Sequence, residues 1–457
     1  MKIYQFAVAL VLISMTTENS MAIDTFDATN ERAYSIPTAD APELAALGPY
    51  TVGVTNILLT DSQRPNIAEA LAGRPPIIAR EITAHIWYPS ISDTKYKPAT
   101  YSGRLPFRPG VRPPEVPENY ELKGIAHWEA DIVKDKKFPL VVLSHGYGNW
   151  STFLSYLAEY LASKGYIVAS IGHGDLPYID LPSFNLSFAN TMLNRSRDQH
   201  FAIEALSNLA DFGAPKIEAA INTDAIGLIG YSMGGFGALA TAGAGYDSES
   251  PSLTEIPRAL LNGILEGTQL TKPHPNLKAV IAIAPWGGAP ANRAWTKQAL
   301  AKIKTPLFVI AGDQDDVSGF DDGIRWVYDN ATGADRHMLI YQNGRHSIGG
   351  NPEPPIADDY FDLTDWFNEP VWRRDRVVGI NQHFITAFLN LHLKKDASAA
   401  TFMNVSPERS NDGQWPIKPG GYVGGAYSGG EHDGKAYWKG FQRRFALGLT
   451  MKRASAK

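Results

Sequence analysis

The sequence predicts an α/β protein: a mostly parallel central sheet with helices on both faces and insertions over one edge. Three observations predict it. From residue 138 onward, short apolar runs alternate with helical patterns, the order that parallel strands joined by crossover helices require. One such run, 225–229, passes directly into Gly230-Tyr231-Ser232-Met233-Gly234 and then a small-residue stretch, which reads as a strand turning sharply into a helix. Polar residues with chemical potential follow several of these runs, at the carboxyl edge where open α/β sheets carry their sites.

Composition bounds the possibilities. The 457 residues are 44% hydrophobic and 19% charged, with 41 Gly and 31 Pro, which fits a large core with many loops. A net charge of −5 and the absence of a basic run exclude nucleic acid and an anionic membrane surface as expected partners. There is no cysteine, so disulfides, a thiol nucleophile and thiolate metal sites are excluded. Lys2 precedes the apolar stretch 6–15, and Ser20-Met21-Ala22 has the small-x-small pattern of a cleavage site; residues 1–22 read as a signal peptide, with the mature chain periplasmic or secreted. No apolar run approaches the ~20 residues of a membrane span, so no transmembrane segment is expected.

The elements follow in order. Residues 23–50 are polar and Ala- and Pro-containing, an extended lead-in to a domain over 51–395. Apolar stretches predict strands at 55–60 and 80–88. Residues 99–137, rich in Pro and charge without a sustained period, read as a loop-like insertion. Strand 138–144, helix 150–162 (stopped by Lys164-Gly165) and strand 166–171 come next. A second insertion spans 174–196; its part 181–193, with Phe184 and Phe188, reads either as an apolar lid or as a packed surface helix. Helix 198–209, strand 225–229 and helix 233–244 follow, then an insertion at 246–276. Strands 277–285, 306–311 and 338–341, with helix 322–328 between the last two, complete the sheet. A fourth insertion covers 349–375 and helix 377–393 closes the domain, leaving 396–457 as a Gly- and aromatic-rich extension that reads either as packing back on the core or as meeting a partner, with packing the expectation.

G-x-S-x-G between a strand and a helix is a nucleophile elbow, which lifts the Ser232 hydroxyl above the sheet. A serine hydroxyl needs a base, and the base needs an orienting carboxylate. Strand 306–311 leads into Gly312-Asp313-Gln314-Asp315-Asp316 and strand 338–341 into Asn343-Gly344-Arg345-His346, which supplies both in the order Ser, Asp, His. Asp315 lies far enough past its strand to reach His346; Asp316 and Asp313 are the alternatives. His337 falls at the opposite edge, and His383 and His392 sit on the closing helix. The oxyanion site requires two backbone N–H donors: Met233, after the serine, and Tyr147, in the loop Ser144-His145-Gly146-Tyr147-Gly148. His145 braces that loop rather than binding metal, and Gly172-His173-Gly174-Asp175 is a turn near the pocket. Acidic clusters such as Asp321-Asp322 read as solvated loops; no metal or cofactor motif is present, and none is expected.

These segments resemble α/β-hydrolases of the dienelactone hydrolase and platelet-activating-factor acetylhydrolase type, and they share pieces with bacterial cutinase-like polyester hydrolases. The resemblance rests on the loop at 143–148, the stretch 161–169 and Gly230-Tyr231-Ser232-Met233-Gly234-Gly235, with Ala284-Pro285-Trp286 as a further piece. It covers roughly 50–395 and implies the α/β-hydrolase fold, with the insertions over the catalytic edge. It also implies that Tyr147 is the aromatic residue after the oxyanion-loop glycine, that Asp315 is the acid and that Trp286 flanks the bound ester, an ordinary pocket wall being the alternative. The chain departs from compact polyester hydrolases in its segments 99–137, 246–276 and 349–375, and from dienelactone hydrolase itself in lacking the nucleophilic cysteine. The expectation is therefore an exported serine carboxylic ester hydrolase acting on a small-molecule ester through an acyl-enzyme. A serine peptidase or amidase on the same fold and an idle exported binding protein are the readings beside it.

Overall fold

The computed structural model describes residues 33–91, 95–107, 110–268, 271–413, 422–423, 426–427, 437–442 and 444–457. The expected signal peptide and the first part of the lead-in lie outside the described residues. The first two strands outrun their apolar stretches. β1 (Thr51–Pro65) and β2 (Ile77–Ser90), joined through the short helix α1 (Ile67–Leu71), pair antiparallel from Thr51↔Ser90 to Pro65↔Ile77. Leu58, Ile77 and Ile78 stay exposed along this ladder, so backbone pairing rather than burial extends it, and hydrophobic patterning does not register that.

Residues 99–137 are not the irregular insertion that their Pro and charge content predicts. They contain β3 (Pro98–Arg104) and β4 (Asn119–Trp128), an antiparallel pair that joins the sheet beside β1. Buried Ala99 and Tyr101 alternate with exposed Thr100 and Ser102, a two-residue period too short to stand out between the flanking prolines.

Then come β5 (Phe138–Ser144), β6 (Ile167–Gly172), β7 (Ile221–Tyr231), β8 (Leu277–Ile283), β9 (Leu307–Gly312) and β10 (Arg336–Tyr341). They run parallel in the spatial order β10-β9-β8-β7-β5-β6. β5, β9 and β10 are buried along their whole length, as parallel strands covered on both faces must be. Two short strands, β11 (Tyr422–Val423) and β12 (Ala426–Tyr427), form a separate pair. The last strand, β13 (Leu449–Ala454), lies in the extension and pairs antiparallel with β10, so among the described residues the sheet reaches eleven strands in the order β13-β10-β9-β8-β7-β5-β6-β2-β1-β4-β3.

The helices are α2 (Ser155–Ser163), α3 (Leu181–Leu206), α4 (Pro215–Ala220), α5 (Met233–Thr241), α6 (Lys297–Leu300), α7 (Trp326–Asn330), α8 (Phe361–Phe367), α9 (Arg374–Leu393) and α10 (Ala400–Met403). α2 and α9 pack together over one face of the sheet, α3 and α5 over the other. α3 corrects the reading of 174–196 as an insertion separate from a helix at 198–209: it is one helix of 26 residues, started by Asp180, whose carboxylate accepts the Ser183 N–H in a capping box. Its first turn is exposed at Leu181, and from Ala189 it is mostly buried, so one helix serves both as rim and as core. The extension packs back through Trp438 and Phe441, whose rings meet Phe384 of α9 at 5.9 and 5.7 Å. Among the described residues no helix is long and apolar enough to cross a membrane.

Candidate active site

β7 gives way to α5 at Ser232, whose φ of 52° and ψ of −114° lie outside the regions that residues with side chains ordinarily occupy. Neighbours hold this strain in place. The Ser232 N–H donates to the Ile283 carbonyl (2.8 Å), and the Ser232 carbonyl accepts from Phe236 (2.9 Å) and Trp286 (3.2 Å). A Cβ at position 230 would lie 2.1 Å from the Gly234 oxygen, and one at 234 would lie 2.0 Å from the Ser144 oxygen; the corner closes only with glycine at both.

Beyond β9, the Asp315 Oδ1 accepts the N–H groups of Val317 (3.0 Å) and Ser318 (2.7 Å). Its Oδ2 lies 2.8 Å from His346 Nδ1, whose hydrogen it accepts, and His346 Nε2 is then left to accept from the Ser232 hydroxyl at 3.0 Å. The Asp315 carboxylate is fully buried, and the His346 ring is 13% exposed. Asp313 and Asp316 stand outside this chain of contacts. Asp313 accepts the Asn343 N–H (2.7 Å) and braces the turn after β10. Asp316 pairs with Arg345 (2.6 Å); burial would raise its carboxyl, but Arg345 outweighs burial and holds it below the ordinary value. His337, His383 and His392 are elsewhere. His383 accepts the Leu44 N–H (3.1 Å), and burial pushes it down to about 3.

Met233 is the first residue of α5, so its N–H has no intrahelical acceptor. The loop that carries Tyr147 runs directly against the serine: a Cβ at Gly146 would sit 3.2 Å from the Ser232 Cβ. Among the described residues the Tyr147 N–H donates to no protein acceptor. The loop is braced on both sides. His145 Nδ1–H donates to the Gly146 carbonyl (2.7 Å), and its Nε2 accepts the His173 N–H (3.1 Å). The Gly148 N–H donates to Asp175 (2.9 Å), which is paired with Arg195 at 2.8 Å. Burial alone would raise the Asp175 carboxyl; the Arg195 guanidinium overcomes it and brings it to about 2.

A cavity of 520 Å³ opens on Ser232 and His346. Phe153, Tyr231, Phe361, Trp366 and Phe367 give it aromatic walls, and the last three belong to α8, so the insertion at 349–375 forms its roof. Trp366 stacks on Trp150 (6.1 Å between ring centres) and meets Phe153 edge-on (5.6 Å). The residues flanking His346 tie the roof down: Arg345 donates to Asp365 (3.0 Å), and the Ser347 hydroxyl donates to the Trp366 carbonyl (2.8 Å). Neither Arg345 nor Ser347 carries a motif of its own in the sequence; adjacency to His346 is the one signal that marks them. Trp286 does not line this cavity; its ring lies edge-on to Phe188 of α3 (5.1 Å) and Phe236 of α5 (5.8 Å). Phe184 and Phe188 close around Tyr147, whose hydroxyl donates to Ser187 (2.8 Å).

The family model of platelet-activating factor acetylhydrolase, isoform II, matches residues 120–179, a stretch that contains the 144–148 loop. The chain is 44% identical over 50 residues to a platelet-activating factor acetylhydrolase of Canis lupus familiaris, 11% of either chain. It is 37% identical over 54 residues to the one from Cavia porcellus, 12% of either chain. Against the bis(hydroxyethyl) terephthalate hydrolase of Streptomyces coelicolor it is 22% identical over 224 residues, 49% of this chain and 55% of that one. The matches thus span about half the length of the Streptomyces protein and a small part of the acetylhydrolases. A mostly parallel sheet of this topology is that of an α/β-hydrolase fold, and over the stretch that takes in the loop beside Ser232 the chain is similar to platelet-activating factor acetylhydrolases.

Proposed function

We propose that the protein is a serine carboxylic ester hydrolase, working through Ser232, His346 and Asp315 and an acyl-enzyme. The observation that carries this reading is the unbroken run from the Ser232 hydroxyl to His346 (3.0 Å) and on to Asp315 (2.8 Å) at a strained corner. Ser232 Oγ attacks the ester carbonyl while His346 Nε2 takes its proton, and Asp315 stabilises the imidazolium that forms. The oxyanion lies between the Met233 and Tyr147 N–H groups, each worth about 3 kcal/mol of transition-state stabilisation. Collapse breaks the bond to the alcohol, which leaves with the proton from His346; a water deprotonated by the same ring then releases the acid. Two relatives carry names that denote hydrolysis of an acetyl group and of a terephthalate ester, which favours esters over amides. The roofed cavity suits a small-molecule ester.

Hydrolysis of short p-nitrophenyl esters and labelling by a fluorophosphonate probe test the reading together. Ser232→Ala is expected to abolish labelling and to lower kcat by about 10⁶-fold. Labelling without ester turnover in the wild type would move the assignment to a peptidase or amidase, and neither signal would move it to a binding protein. Export belongs to the same proposal: N-terminal sequencing of the periplasmic or secreted protein is expected to start near Ile23.

A further inference from the structure

Beneath the oxyanion site, Gln199 of α3 is completely buried and uses all of its amide. Its Nε2 donates to the Ser144 hydroxyl (2.8 Å) and to the Gly234 carbonyl (2.9 Å), while its Oε1 accepts from Thr241 (2.8 Å). Ser144 ends β5 and leads into the loop of Tyr147; Gly234 follows Met233 in α5. One side chain therefore spans the two segments that present the N–H donors. α5 leaves room for it, because a Cβ at Gly237 would lie 2.8 Å from the Gln199 Nε2.

The direction of every hydrogen bond here is determined. Asp198 is fully buried; it accepts from Arg64, and twice from Arg80, at 2.9 and 2.8 Å. His173 Nδ1–H therefore donates to Asp198 (2.8 Å), and His173 Nε2 accepts the Ser144 O–H (2.7 Å). With its proton committed, the Ser144 oxygen is left to accept from Gln199. Burial, reinforced by Arg195, pushes His173 down to about 4, which keeps the ring neutral as this order of bonds requires. The set Ser144-His173-Asp198 is a second serine–histidine–carboxylate series, but Ser144 has no exposure and cannot meet a substrate. Its chemistry is confined to fixing the hydroxyl on which Gln199 is seated.

We propose that Gln199 is a positioning residue for the hydrolysis: it holds the Tyr147 and Met233 amide donors at the separation a tetrahedral oxyanion needs. The inference rests on the ester hydrolase reading above. Both donors must lie about 2.7–3.1 Å from the oxyanion, and a misplacement of about 1 Å costs up to about 10²-fold in rate. The bound ester, planar at its carbonyl, depends on that separation far less than the transition state does.

Gln199→Met keeps the length of the side chain and removes both donors. Kinetics with p-nitrophenyl acetate, expressed per site counted by the endpoint of fluorophosphonate labelling, are expected to show kcat lower by about 10- to 100-fold with KM within about twofold. The inhibition constant of an alkyl boronic acid, which forms a tetrahedral adduct on Ser232, is expected to rise by the same factor as kcat falls. Fewer labelled sites with wild-type kcat per site and wild-type boronate affinity would reduce Gln199 to a packing role and overturn the proposal. Where Gln199→Met does not fold, Ser144→Ala carries the test: a smaller fall in kcat per site at constant KM supports it, and an unchanged kcat overturns it. Wild-type protein without ester turnover overturns the ester reading and this inference with it, whereas wild-type turnover with an unimpaired Gln199→Met variant overturns this inference alone.

Discussion

Three carboxylates crowd the turn after β9, and their partners separate them. Asp315 is buried against His346, Asp313 braces a backbone turn, and Asp316 forms a half-exposed ion pair with Arg345. Asp315→Asn is expected to lower kcat for p-nitrophenyl acetate by about 10⁴-fold, since the ring loses its orienting acceptor. Asp316→Ala is expected to stay within a few-fold of wild type, because an exposed ion pair contributes about 0–1 kcal/mol, and Asp313→Ala likewise, because its carboxylate holds only the exposed Asn343 N–H and does not touch His346. Full activity in Asp315→Asn, or its loss in Asp313→Ala alone, would reassign the acid. The corner offers a test of packing. Gly234→Ala would put a methyl group 2.0 Å from the Ser144 oxygen, and is expected to cost at least about 1–3 kcal/mol and to slow fluorophosphonate labelling sharply. Thermal melting and the labelling rate measure the two effects; wild-type values for both would show that the corner is looser than its contacts indicate.

The roof helix α8 lines the cavity that opens on Ser232. It is anchored by residues on either side of His346, and its ion pair with Arg345 is half-exposed (Arg345 31% and Asp365 51%), so it contributes little to global stability. Arg345→Met is therefore expected to leave the melting temperature nearly unchanged while raising kcat/KM for bulky acyl esters relative to acetate. An unchanged ratio across a series of p-nitrophenyl esters would mean that aromatic stacking of Trp366 on Trp150 and Phe153 holds the roof without the ion pair. α3 makes a different point about legibility. Its two halves bury different faces, an aromatic rim around Tyr147 and a polar underside bearing Arg195, Asp198 and Gln199. A sequence pattern that changes face midway reads as two elements, although the backbone runs through.

Several histidines across the molecule are folded in as neutral rings. Burial pushes His85, His173 and His337 to about 4, from a usual 6.5. As pH falls from 6.5, these side chains take up protons in the unfolded chain but stay unprotonated in the native one until about pH 4. The unfolded state then binds more protons, so stability declines across that window and is independent of these groups above it. Asp175 acts further into acid. Its native value of about 2 against a usual 3.8 gives stabilisation that is complete above 3.8 and lost as pH falls toward 2. Melting temperature is expected to be lower at pH 5 than at pH 7.5, and His85→Gln to flatten that difference; equal melting at both values would contradict the burial of these rings.

The parallel strands from 138 onward, the glycine-flanked corner and the order Ser232, Asp315, His346 were legible in the amino-acid order. Buried parallel strands are continuous apolar runs, and a corner without room for Cβ atoms must be written with glycine, so both leave local signatures. Folding alone decided that 99–137 contributes strands, that β13 closes the sheet edge, that α8 roofs the pocket while Trp286 faces α3, and that Gln199 joins two distant segments. Each of these depends on a partner far away in the chain, and a hydrogen bond or stacked ring between distant segments has no period or composition by which it could announce itself.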